Sequence, residues 1–319
     1  MIRIGMDIGG TGIQIGAVDE QNQIIAKTSI PTRTDIPFQD QVDQMVSAIL
    51  GMMQPELNPL LTLDQVASVG AGIPGLANNQ GIVIKCTNLG WNYAPLREEF
   101  QKKIDKPFYV ENDANVAALA ESVAGVSSGT SSSVFITLGT GIGSGIIIGG
   151  RIWSGAHGIG GELGHMILEL DGVPCTCGNR GCVERYCSAT AIIRMAREQV
   201  SVHPDSLILR LAEQDPLKIN AKIVIDAARE GDPTAEKIYR RFIACLAQTI
   251  ANVINFLDPE MIVLGGGVSK AGDYLLSSVR EAVPQYVIFN DQPMPHIELA
   301  TLSSDAGIIG AAMLSSDPD

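Results

Sequence analysis

Two segments of the chain share one order of residues. A β-rich run is followed by a polar residue, an apolar residue and glycine, and then by a Gly/Thr-rich turn that leads into a second β-rich run. In the first segment, residues 3–7 end at Asp7, turn through IGGTG and return as residues 13–18. In the second, the run from Ser133 reaches Thr137 and turns through GTGIGSG into Ile146, Ile147 and Ile148. Similarity of this kind within one chain points to a duplicated β-rich half. The length agrees, because 319 residues exceed one simple core and suit two domains of roughly 100–200 residues each.

The remaining periodicities fill in two α/β halves. Residues 23–29 fit a third strand. Val42, Met45, Val46, Ile49 and Leu50 recur at helical spacing within 39–53. VASVGAGIPG reads as a strand ending in a Gly/Pro turn. KPFYVENDANVAALAESVAG reads as a short strand, a turn and a helix with Val116, Leu119, Ala120 and Val123 on one face. Asp232 and Pro233 suit the N-cap and first position of a long helix striped by Ile238, Phe242, Leu246, Ile250 and Val253. No low-complexity linker marks a boundary. The expected division is a smaller α/β domain over 1–115, joined by a C-terminal helix within 305–319, and a larger α/β domain over 116–304 that carries a cysteine-rich loop.

Each glycine turn alone is equally a plain hairpin turn. Two of them after strands have a second use, because glycine lets backbone N–H groups approach an anion and a threonine hydroxyl adds a donor. Together they suit a clamp on a polyphosphate. Neither is a P-loop, since G-x-x-x-x-G-K-[ST] is missing. LGGGVS, with Gly265, Gly266 and Gly267 between a strand and a helix, suits a flat nucleoside against bare backbone.

VENDANVA puts Glu111, Asn112 and Asp113 where a strand becomes a helix. Asn112 or Asp113 suits the N-cap. An acid at this junction also suits a general base that takes the proton of a substrate hydroxyl as its oxygen attacks phosphorus.

The stretch GHMILELDGVPCTCGNRGCVERYCS gathers His165, Cys175, Cys177 and Cys182 in a chain with 6 Cys and 4 His in all. Cys3His is a common structural zinc set, and clustered thiols in a reducing compartment favour metal over disulfides. The C-x-C-x4-C spacing is not that of a standard finger; Gly178 and Gly181 let the chain turn back to the ion, with His157 a rival for the fourth position. Glu162 precedes His165 by three residues and shares a face with it on a helix, while Glu184 follows Cys182 by two. The expected outcome is a zinc-folded loop whose flanking Glu162, His165 and Glu184 reach the substrate.

The charge of −13 opposes nucleic acid or anionic membrane as partner, no apolar run approaches the about 20 residues of a membrane span, and the first residues do not read as a secretory signal. A cytoplasmic enzyme is expected.

Taken together, DIGGT, GIPG, NLGW, ENDANVAALAE, LGTGIGSGI, GGELGH, CTCGNRGCVE and LDPEMIVLGGGVS resemble the ROK family (repressor, open reading frame, kinase), and within it the glucokinase-type members, over nearly the whole chain. The resemblance implies an actin/hexokinase-like (ribonuclease H-like) α/β fold of two domains with an interdomain cleft. It also implies transfer of the ATP γ-phosphoryl group, with Mg2+, to the 6-hydroxyl of glucose. By that resemblance Asp113 is the catalytic base, and Asn112, Glu162, His165 and Glu184 bind sugar hydroxyls beside Asn88, Gly72, Pro74 and Gly75. Gly9, Gly10, Thr11, Thr137, Gly139, Thr140 and Gly141 hold phosphates, and Asp7 contacts the magnesium shell. Gly265, Gly266 and Gly267 border the nucleoside, while His165, Cys175, Cys177 and Cys182 hold structural Zn2+. A homodimer or homotetramer is implied too. Many relatives carry lysine just after the first glycine turn; here Gly12 and Gln14 stand there, so charge at the phosphates rests on Mg2+ and backbone donors.

Two other readings share these motifs. One is a kinase for N-acetylmannosamine, N-acetylglucosamine, allose or fructose. The other is a sugar-sensing regulator of the same family, which needs a DNA-binding segment ahead of the first glycine turn and a basic footprint.

Overall fold

The computed structural model describes residues 1–54, 56–58 and 61–314. The chain divides into two compact units. The first holds Met1–Ser131, Gly145–Gly160 and the chain from Thr301 on; the second holds Ser132–Ser144 and Gly161–Ala300.

In the first unit, β1 (Ile2–Ile8), β2 (Gly12–Val18) and β3 (Ile24–Pro31) form an antiparallel meander. After α1 (Phe38–Met52) comes β4 (Val66–Ile73), which pairs in parallel with β1. A small antiparallel sheet follows, of β5 (Leu76–Ala77), β6 (Val83–Cys86) and β7 (Trp91–Ala94). Next are α2 (Leu96–Gln101), β8 (Phe108–Asn112) and α3 (Asp113–Ala124). The main sheet has the order β3-β2-β1-β4-β8. Ile4, Met6, Ile15, Met45, Ile49, Ile73, Phe100 and Phe108 fill its core.

In the second unit, β9 (Ser132–Leu138) leads to β10 (Ile142–Ile148), which begins in this unit and ends in the first, where β11 (Arg151–Ile152) pairs with its end through Ile147 and Ile152. The helices α4 (Glu184–Cys187), α5 (Ala189–Val200), α6 (Leu207–Leu211), α7 (Ala221–Arg229) and α8 (Pro233–Leu257) follow. Then come β12 (Met261–Gly265), α9 (Asp273–Ala282) and β13 (His296–Leu299). β12 runs parallel to both β9 and β13, and the sheet order is β11-β10-β9-β12-β13. Asp232 caps α8 by accepting the Ala235 N–H at 2.8 Å, with Pro233 at the first position, as the sequence predicts.

The last helix, α10 (Ala306–Met313), returns to the first unit and packs on β1, β4 and α3. Glycines make this approach possible. A Cβ on Gly5 would stand 1.9 Å from the Ile308 carbonyl oxygen, one on Gly70 1.9 Å from that of Ala311, and one on Gly310 1.9 Å from that of Val116. Backbone therefore lies on backbone along β1, β4 and α3. The expected break near residue 115 falls inside α3, where Asn115 is buried, so this helix stays whole in the first unit. The second half of β10 joins that unit as well, because Gly145 lies directly against Ala118 and the Ala114 carbonyl. Residues 315–319 of the expected C-terminal helix lie outside the described residues.

Candidate active site

The expected site residues fall into two groups, one in each unit. In the first, the β1–β2 turn is a tight loop closed by the Gly9 N–H donating to the Gly12 carbonyl at 2.9 Å. Gly10 faces Asn88, whose Cβ lies 3.5 Å from where a Gly10 Cβ would stand. Asp7, at the end of β1, has its carboxyl packed against Gly307 in the first turn of α10; a Cβ there would sit 2.5 Å from the carboxylate. Burial pushes the Asp7 pKa up, partly opposed by the field of Lys27.

The strand-to-helix junction shows which residue of VENDANVA is the cap. Asn112 is the N-cap of α3, accepting the N–H of Ala114 at 2.9 Å and that of Asn115 at 3.4 Å. Asp113 follows as the first helical residue, exposed, with one carboxylate oxygen 2.8 Å from the Ala114 N–H. The cap duty thus rests on Asn112. Its carboxamide also donates to the Gly75 carbonyl at 3.3 Å, which ties the 72–75 turn to the junction. Within that turn, a Cβ on Gly75 would collide with the Lys85 carbonyl at 2.5 Å, while Gly72 packs on Val116 and the Pro74 carbonyl accepts from the Cys86 thiol at 3.5 Å.

In the second unit, the β9–β10 turn is closed by the Gly139 N–H donating to the Gly141 carbonyl at 3.0 Å, two residues on where the first turn's bond reaches three. Gly265 pairs with Thr137, and Gly266, at φ +86°, lies against the backbone of Leu138. The three-glycine run and the second turn are therefore neighbours. Gly267 follows at the start of a 3-10 turn.

Glu162 and His165 flank and end a single 3-10 turn, Leu163–His165, rather than lying on an α-helix. With about three residues per turn, that geometry still stacks positions three apart. The loop is fixed to β10: Ser144 donates to the Gly161 carbonyl and accepts the Leu163 N–H at 3.3 Å. Gly164 lies against the Ile142 carbonyl, 2.2 Å from a would-be Cβ.

The ligating atoms of His165, Cys175, Cys177 and Cys182 all lie within 4.8 Å of one another. His165 Nδ1 is 3.8 Å from Cys175 Sγ, and Cys177 Sγ is 3.6 Å from Cys182 Sγ. A tetrahedral zinc ion, with Zn–S of about 2.3 Å, sets its sulfurs about 3.8 Å apart, so the donor set fits such an ion. Burial pushes the Cys182 thiol up to about 12, whereas a backbone bond at Asn179 draws Cys177 down. A bound dication supplies the compensation that a buried thiolate needs. The loop is bolted to α8, since Arg241 pairs with Glu169 and stacks over Tyr186, whose hydroxyl accepts the Val173 N–H at 2.9 Å. Glu184 opens α4, two residues past Cys182, and its carboxylate accepts the Ile142 N–H at 3.1 Å.

Two residues that serve these groups carry no motif. Thr32 and Thr190 act by hydrogen bonds to distant backbone, and spacing in the sequence gives no signal for them.

Two α/β units, with a glycine-rich turn after the leading strand of each sheet, define a protein of the actin/hexokinase-like two-domain fold. The chain belongs to the ROK family, whose model matches residues 3–317. It is 38% identical over 313 residues to a glucokinase of Thermotoga maritima, covering 98% of this chain and 96% of that one. Among solved structures it is similar to a ROK family glucokinase from Streptomyces griseus in complex with glucose and AMPPNP, at 33% identity and a TM-score of 0.82, covering 98% of this chain and 99% of that one. It is also similar to a ROK hexokinase from Thermus thermophilus, at 29% identity and a TM-score of 0.82, covering 98% and 97% of the two chains. Among the described residues no helix is long and apolar enough to cross a membrane.

Proposed function

We propose that the protein is an ATP-dependent glucokinase that phosphorylates the 6-hydroxyl of glucose. The observation that carries this reading is the likeness to glucokinases over nearly the full length of both chains. We assign Asp113 as the base. Its carboxylate takes the proton of the 6-hydroxyl as that oxygen attacks the γ-phosphorus, and the bond from the γ-phosphorus to the bridging oxygen of ADP breaks. Such a transfer asks the protein for positioning and charge stabilisation above all. We assign Asn112, Glu162, His165 and Glu184 to sugar hydroxyls, with Asn88 and the 72–75 turn lining the pocket. The turns at 9–11 and 137–141 are assigned to the phosphates, and 265–267 to the nucleoside. Mg2+, when bound, offsets phosphate charge, with Asp7 the residue to hold its shell.

We assign Zn2+ to His165, Cys175, Cys177 and Cys182. The fit of the donor spacings supports this. Nδ1 of His165 faces the sulfurs, which leaves Nε2–H to donate to a sugar hydroxyl. A cytoplasmic location and assembly as a homodimer or homotetramer follow from the family resemblance.

ATP turnover measured across a panel of glucose, fructose, allose, N-acetylglucosamine and N-acetylmannosamine tests the reading. The expected result is the highest kcat/KM with glucose. A higher value with another sugar reassigns the substrate, and no turnover with any sugar rejects the enzyme.

A further inference from the structure

We infer that Thr32 and Thr190 are positioning residues that brace the two glycine turns for phosphate, an inference that deepens the phosphotransferase reading and rests on it. Neither residue belongs to a glycine motif. In the first unit, the Thr32 hydroxyl donates to the Gly9 carbonyl at 2.6 Å, and the Thr32 N–H donates to the Thr11 carbonyl at 3.3 Å. In the second unit, the Thr190 hydroxyl donates to the Thr140 carbonyl at 2.7 Å, and the neighbouring Ala189 N–H donates to the Gly139 carbonyl at 2.9 Å. The two braces are alike in kind but grip different carbonyls: the hydroxyl takes that of the first glycine in one turn and that of the following residue in the other. Each turn is closed by its own N–H to carbonyl bond, and two of its carbonyls are held from outside by one threonine hydroxyl and one backbone N–H.

The planarity of the trans peptide gives this bracing its consequence. The carbonyl of one residue and the N–H of the next point in opposite directions across one rigid unit. A bond that pins the Gly9 carbonyl therefore aims the Gly10 N–H away from Thr32. Pinning the Gly139 and Thr140 carbonyls likewise aims the N–H groups of Thr140 and Gly141 away from α5. Among the described residues, the N–H groups of Gly10, Thr140 and Gly141 have no hydrogen-bond partner. Glycine-rich turns are otherwise free to rotate these peptide planes, because glycine restricts φ and ψ least. Fixed donors stabilise charge without reorganising when it arrives. That matters more here than in relatives with a lysine after the first turn, because Gly12 and Gln14 supply no positive charge.

The test compares Thr32→Val, Thr32→Ser, Thr190→Val and Thr190→Ser with the wild type. Valine keeps the shape and the backbone brace but removes the hydroxyl. We expect each valine variant to lower kcat/KM for ATP by about three- to tenfold, the effect of one lost hydrogen bond on an aimed donor. KM for glucose should stay within about twofold, and the melting temperature should fall by no more than about 2–4 °C. The serine variants should recover most of the loss. AMPPNP affinity, measured by calorimetry on the same proteins, should fall in step with kcat/KM for ATP. Valine variants with wild-type nucleotide affinity would overturn the inference, as would an equal rise in KM for glucose or serine variants as impaired as the valine ones. A wild-type protein that binds AMPPNP but does not phosphorylate glucose would count against the glucokinase reading alone, since the AMPPNP comparison still decides the braces.

Discussion

The Glu184 carboxylate accepts the Ile142 N–H at 3.1 Å and stands 2.3 Å from where a Cβ on Gly141 would lie. One side chain, two residues beyond a cysteine of the Cys3His set, therefore holds the end of a turn assigned to phosphate while being assigned itself to the sugar.

Gly141→Ala should act through Glu184. The new methyl displaces the carboxylate and breaks its bond to Ile142, so kcat/KM should fall by at least about tenfold for both glucose and ATP. The melting temperature should change little, because only the end of a flexible side chain has to move. Steady-state kinetics against both substrates check this, and a variant with wild-type kinetics would show that Glu184 serves neither.

The buried Glu121 carboxylate accepts the N–H groups of Val126, Thr301 and Leu302, each at 2.9 Å, and the Thr301 hydroxyl at 3.1 Å. It thereby joins the end of α3 to the segment entering α10. Glu121→Ala leaves these donors without an acceptor and should destabilise the protein by about 2–4 kcal/mol. Urea unfolding measures the change. An unchanged midpoint would mean that water replaces the carboxylate without loss.

Burial raises the pKa of Asp7 in the folded state above its ordinary 3.8. Folding therefore favours the protonated acid, and stability that is present below the unfolded value is lost as pH rises through the folded value. Asp7→Asn should remove that loss. The variant should melt above the wild type at neutral pH, the gap should close below about pH 4, and turnover with ATP should drop. A variant that melts lower than the wild type at neutral pH would show that the ionised carboxylate stabilises the fold.

Purified protein should contain about one zinc per chain, from the chemistry of a Cys3His set. Elemental analysis with thiol titration tests this. Chelation should weaken glucose binding, because Glu162, His165 and Glu184 flank the loop that the ion folds. A metal-free preparation with free thiols at 175, 177 and 182 and full activity would remove zinc from the account.

Much of this architecture is legible in the sequence where one periodicity decides it. The two hairpins, the cap of α8 and its stripe as far as Ile250 show directly, with Ile254 buried where Val253 is expected, and so does the junction at Asn112 and Asp113. The division into units does not, because it is set by packing that no period reports. The β10 strand reads as one apolar run, yet Gly145 within it sits on Ala118. Gly5 and Gly70 read as strand residues of no special kind until α10 is seen lying on their backbone. The residues of the candidate site are legible because they sit in dense motifs. Thr32 and Thr190, which hold those motifs, are single threonines whose partners lie far along the chain or in another element.

The most direct measurement is turnover and glucose binding by Asp113→Asn. Asn112 already caps α3, so this variant should fold, hold zinc and bind glucose as the wild type does. Loss of the proton acceptor should lower kcat by about 10²–10⁴. Near-normal kcat with bound glucose would contradict the account, because it would leave the transfer without the base assigned to it.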